Sequence, residues 1–180
     1  MTRIKTSIRW ILIFLAASLA VAVPPISPQP ASAQPASDVA GTWQAIALTT
    51  SYQPSLTDQT AGSYAGVGSD LWQGTWTGVS SFTFRGTVDL ITGEGSGTIE
   101  ETLSGRSADG GTGTMSITWA FTVAPDGHVL LRGRIVDATG DFTGARGTLV
   151  AEGTGVGGAL FSSGTYHGDW SRPDPSTTSS

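Results

Sequence analysis

Gly111-Thr112-Gly113-Thr114-Met115-Ser116-Ile117-Thr118-Trp119-Ala120-Phe121-Thr122-Val123 is followed by Ala124-Pro125-Asp126-Gly127 and then by His128 to Asp137. In the first run Thr112, Thr114, Ser116, Thr118 and Thr122 alternate with Gly113, Met115, Ile117, Trp119, Phe121 and Val123. The Pro125-Asp126-Gly127 step reads as a turn, and a second alternating run follows it. Successive side chains of a strand point to opposite faces, so this pattern predicts an antiparallel hairpin with one wet and one buried face.

Working outward, the same period of two recurs along most of the chain, and no helical period follows residue 34. Further strands are expected at Gly41–Thr50, Leu71–Val79, Phe82–Leu90, Gly97–Ser104, Arg146–Thr154 and Ser162–Trp170. Within Leu71–Val79, Trp72, Gly74, Trp76 and Gly78 share one face. Gln53 to Asp70, rich in Gly, Ser, Thr and Gln, reads as a long irregular loop, a candidate lid or mouth. Many of the 25 glycines fall inside strands. Glycine weakens a flat strand but suits a sheet that bends sharply or meets another backbone closely. Short strands, nearest-neighbour turns and interior glycines predict an all-β, eight-stranded antiparallel up-and-down barrel rather than a sandwich. An outer-membrane barrel would need a continuously apolar outer face, whereas the polar face here carries Thr, Ser, Arg, Glu and Asp.

The N-terminal segment is set apart from this domain. Arg3, Lys5 and Arg9 precede an apolar stretch from Trp10 to Val23, shorter than the roughly 20 residues that span a bilayer. Ala31-Ser32-Ala33 then offers small residues at the −3 and −1 positions of a signal-peptidase site. The expected organisation is a signal peptide at 1–33, a short leader at 34–40, the barrel domain at 41–171 and a Pro/Ser/Thr tail at 172–180. Secretion or delivery to the periplasm follows, with no stable membrane insertion after cleavage. Cleavage leaves six arginines and fourteen acids, a formal charge of −8, which disfavours nucleic acid as a partner. Cysteine is absent, so neither a disulfide nor a lipoprotein anchor is available. No histidine cluster has metal-ligand spacing, no Gly-x-Ser-x-Gly elbow occurs, and no helix follows the glycines at 153–158 to hold a phosphate. The expectation is therefore no metal and no cofactor.

Two segments carry a family resemblance. Gly140-Asp141-Phe142-Thr143-Gly144-Ala145-Arg146-Gly147 leads into a strand, and Gly164-Thr165-Tyr166-His167-Gly168-Asp169-Trp170 closes the chain. Together with Thr98–Gly105 and Pro125–Gly127 they resemble the allene oxide cyclase barrel-like superfamily, which includes plant allene oxide cyclases, dirigent proteins and many bacterial domains. The resemblance implies an eight-stranded barrel, often a homo-oligomer, with an apolar cavity. Relatives in that group steer cyclisation or coupling of hydrophobic small molecules. Gly41-Thr42-Trp43 also resembles the Gly-x-Trp start of lipocalins and avidins, and Trp43 is expected to plug one end of the barrel.

Polar residues on apolar faces are the candidate chemistry, because a buried polar group without a partner is costly. Glu101 is in register with Ile99 and Leu103. Asp137 is in register with Val129, Leu131 and Ile135, and its alternative is a turn-capping acid at a strand end beside Thr139-Gly140. Tyr166 shares a face with Gly164, Gly168 and Trp170. Glu101, Tyr166, Trp119 and Trp76 are the candidate ligand-binding set, with Glu101 and Tyr166 the pair an enzyme would need. The alternative for Glu101 is an inward carboxylate paired with an arginine, or a bulge that turns it to water. Arg132 and Arg134 read as an exterior stripe facing acids across strands, and Arg146 as the holder of its turn. Three functions fit: a barrel binding a small hydrophobic molecule, a structural or envelope-associated protein, and a cyclase or isomerase acting on a hydrophobic substrate.

Overall fold

The computed structural model describes residues 37–155 and 162–173. They form eight strands: β1 Ser37–Pro54, β2 Ala61–Gly74, β3 Trp76–Asp89, β4 Gly95–Ser107, β5 Thr112–Val123, β6 His128–Gly140, β7 Arg146–Thr154 and β8 Ser163–Ser171. Each strand pairs antiparallel with its sequence neighbour, and β1 pairs with β8, so the sheet closes into a ring. The expected signal peptide, residues 34–36 of the expected leader, the glycine-rich segment beyond Gly155 and most of the tail lie outside the described residues, whereas residues 37–40 of that leader are the start of β1 and pair with β8. No helix among the described residues is long and apolar enough to cross a membrane.

The upper end of the ring holds the β1–β2, β3–β4 and β5–β6 turns, and the lower end holds the β2–β3, β4–β5 and β6–β7 turns. Alternation sends Ile99, Glu101 and Leu103 of β4 inward opposite Trp119, Ile117 and Met115 of β5. At the lower end an aromatic plug forms. Trp76 and Tyr166 stack at 5.9 Å, Trp170 meets Trp76 edge-on at 5.3 Å, and Phe142 meets Trp170 at 5.8 Å. Such pairs add about 0.5–1.5 kcal/mol each beyond the area they bury. The Tyr166 hydroxyl accepts the Trp76 backbone N–H at 3.1 Å, tying β8 to the start of β3. Arg146 donates to the Ala145 carbonyl at 2.7 Å and holds the turn before β7, as expected.

Three expectations are corrected. The Gln53–Asp70 segment is not a loop: β1 extends to Pro54, and β2 starts at Ala61. Its inward positions include Gly66 and Gly68, and a Cβ on either would come within 2.6 Å or less of a ring atom of Phe84 or Phe82. Those rings on β3 supply the bulk that an apolar residue would otherwise supply on β2. The expected strand Leu71–Val79 is two strands, because Gly74 takes φ +127° and reverses the chain. Asp137 is exposed rather than inward. A register shift falls where Ser116 pairs with Asp137 but Ile117 pairs with Ile135, so Val136 bulges out and Ala138 takes the inward place. An extra residue in one strand inverts every side chain beyond it.

Arg132 and Arg134 are exposed, as expected, but neither makes an ion pair among the described residues. The ion pair present joins Arg172 to Asp109 at the lower end.

Candidate functional site

Glu101 is buried, 6% exposed, in the middle of β4. Neither an arginine nor a bulge accounts for it. Its carboxylate is held by two indoles: Trp72 Nε1 donates to Oε1 at 2.9 Å, and Trp119 Nε1 donates to Oε2 at 2.7 Å. One donor comes from β2, one strand beyond the neighbouring β3, and the other from the adjacent β5. Burial pushes the Glu101 carboxyl above its usual range, while contacts from Ser80, Trp119 and Trp72 pull it back. Ser80 stands close to it on β3, although its hydroxyl makes no hydrogen bond of ordinary geometry. Hydrogen bonds to an ionised group are worth about 1.5–3 kcal/mol, so the two indole N–H groups oppose the cost that burial puts on the charged form.

A second acid faces the same interior. Asp70, 9% exposed, lies on the inward face of β2 two residues before Trp72. Its Oδ1 has no hydrogen-bond partner. Burial, reinforced by the nearby Glu101 charge, pushes its carboxyl up to about 7. Like charges in one dry site resist joint ionisation, so the two acids titrate as a coupled pair. Glu101, with both oxygens held by N–H donors, is the better seat for the single charge.

Asp70 and Glu101 share a cavity of about 20 Å³ with Trp43, Trp72, Phe82, Ile99, Trp119, Leu131 and Ala151. That is room for one water-sized group. The Trp43 Nε1–H is buried and has no acceptor. Two of the residues that line the cavity therefore carry an unpaired buried polar atom, a donor on Trp43 and an acceptor on Asp70, and apart from these and Glu101 the wall is apolar or aromatic. Larger hollows, of about 440 to 590 Å³, lie among outward-facing side chains such as Ser51, Arg85 and Thr98.

Of the four candidate residues read from the sequence, Glu101 and Trp119 meet at this cavity. Trp76 and Tyr166 belong to the lower plug, and the Tyr166 hydroxyl is engaged by the Trp76 backbone. The expected Glu101–Tyr166 pair is not formed; Trp72 lies between them, its ring 4.6 Å from that of Tyr166 and its N–H on Glu101. A loop over Gln53–Asp70 conceals Asp70. Its period-two spacing from Trp72, Gly68 and Gly66 is the signal that places it inward. Trp43 faces the cavity from β1, whereas the expected end-plugging role falls to Trp76, Trp170 and Phe142. Among the described residues no group of three or more His, Cys, Asp or Glu could hold a metal ion.

No family model matches the chain, and no curated protein matches it either. Among solved structures it is similar to a Shewanella oneidensis protein of unknown function from the DUF3224 family. That likeness has a TM-score of 0.53 at 13% identity and covers 78% of this chain and 100% of the other. It concerns the fold: an all-β ring of antiparallel strands.

Proposed function

We propose that this chain is an exported small-molecule-binding barrel of the calycin-like, allene oxide cyclase barrel-like kind, whose guest addresses the cavity between Asp70, Trp43 and Glu101. The observation that carries the reading is the pairing of unsatisfied buried polar atoms with a void. Native interiors leave few such atoms unpartnered, and each is costly unless something completes it. The aromatic walls supply the apolar contact typical of ligand sites. The basic, apolar and Ala31-Ser32-Ala33 segments support export, with the mature chain starting at Gln34.

Mass spectrometry under native conditions, on protein purified from its natural host, tests both parts. A retained small molecule on a chain beginning at Gln34 is the expected result. An empty protein whose melting temperature moves for no member of a ligand library overturns the binding reading, since a hundredfold excess over Kd stabilises by about 2.7 kcal/mol. One observation favours a second reading, a structural or envelope role: the interior space is about 20 Å³, whereas drug-sized ligands occupy pockets of roughly 300 Å³ or more.

A further inference from the structure

We propose that the guest of this cavity carries a hydroxyl group, held between the Trp43 indole N–H and the unpaired oxygen of Asp70. The inference rests on the binding reading above and names the chemistry that the site selects. Both residues line the cavity, and the unmatched atoms are a donor on one and an acceptor on the other. Glu101 offers little to a guest, because each of its oxygens already takes an indole N–H.

The alternatives fail on hydrogen-bond inventory. An ammonium group donates to Asp70 but has no lone pair for Trp43. A carboxylate or phosphate accepts from Trp43 but brings negative charge against two acids. A methyl group leaves both atoms unpaired. A carbonyl accepts from Trp43 but needs Asp70 to hold a proton. A hydroxyl accepts one hydrogen and donates another, and so completes the site in either charge state of Asp70. Its size also matches, since a cavity of about 20 Å³ takes one oxygen with its hydrogen. The rest of the guest displaces a wall side chain, and Leu131, 6% exposed, is the least buried apolar residue of that wall.

Phenol, benzaldehyde, toluene and benzylammonium form a matched probe series, titrated into the full chain at pH 8. The readout is the Trp43 indole N–H resonance, assigned with Trp43→Phe, alongside intrinsic fluorescence. Phenol is expected to bind at least about tenfold more tightly than the other three, because a site built around a hydroxyl rejects analogues that lack it. Asp70→Asn and Trp43→Phe are each expected to weaken phenol by about tenfold and to leave toluene unchanged. Asparagine matches aspartate in size, so the first variant carries the test if the second does not fold. Toluene, benzaldehyde or benzylammonium matching phenol, or phenol indifferent to Asp70→Asn, overturns the hydroxyl assignment while leaving a binding site in place. A Trp43 resonance that none of the four probes moves overturns the binding reading together with it, the cavity then holding water alone.

Discussion

Two walls of the same ring treat their buried acid in opposite ways. The β4–β5 wall is regular: Glu101 sits in unbroken alternation, pairs in plain register with Ile117, and has both oxygens satisfied. The β1–β2 wall is irregular. Its register shifts between Ala45 and Ala47, its inward positions include Gly66 and Gly68, and it carries Asp70 and Trp43 with unpaired atoms. Beyond Ala45 the β1 strand pairs with β2 but with no β8 residue among those described. The contrast teaches where stability and function divide. A fully satisfied buried charge specifies packing, whereas a half-satisfied site is stable only with an occupant or at a cost.

The largest expected effect breaks the regular wall. Trp119→Ala removes a fully buried indole and one of the donors on Glu101, and is expected to destabilise by about 3–5 kcal/mol in denaturant unfolding. A loss below about 1 kcal/mol would mean that the wall is not packed as described.

Next comes the irregular wall, through pH. The unfolded chain releases the Asp70 proton near 3.8 and the folded chain near 7. Between those values the unfolded state holds fewer protons at this site, so the Asp70 share of stability falls as pH rises from about 4 to 7 and then levels, with the raised Glu101 carboxyl acting in the same direction. At about 1.36 kcal/mol per pH unit, the fall is at most about 4 kcal/mol. Asp70→Asn is expected to flatten this slope and to raise the melting temperature at pH 8. Unfolding curves from pH 4 to 8 that are the same for both proteins would remove Asp70 from the pair.

Glu101→Gln sharpens the comparison from the other side. The amide keeps one acceptor but sets an N–H₂ against an indole donor, and a loss of about 1–3 kcal/mol is expected at pH 7. A variant as stable as the parent would show that the indoles do not need the carboxylate. The smallest effect belongs to the lower plug. Tyr166→Phe keeps the stack on Trp76 and loses the hydroxyl that accepts its backbone N–H, which is expected to cost about 1 kcal/mol. Thermal denaturation of the two proteins side by side measures it.

Much of the ring was legible beforehand because alternation is a local property. Met115, Ile117, Trp119 and Phe121 had to share a face wherever the strand ended up, and Glu101 had to point where Ile99 and Leu103 pointed. The exposed place of Asp137 is not legible, because nothing in the sequence around Val136 announces a bulge. The inward place of Asp70 is not legible either, because its strand carries its inward bulk on a neighbour: Phe82 and Phe84 of β3 lie over Gly68 and Gly66. A strand read alone with glycine at its inward positions looks like a loop.

By itself the sequence determined the all-β class, the antiparallel order of neighbours and the inward place of Glu101, since each follows from a period of two and short turns. Tertiary structure decided the register in which β1 meets β8, that two indoles from different strands hold Glu101, and that Asp70 and Trp43 line one cavity. Those are relations between residues distant in the chain, set by register and closure, and no local pattern encodes them.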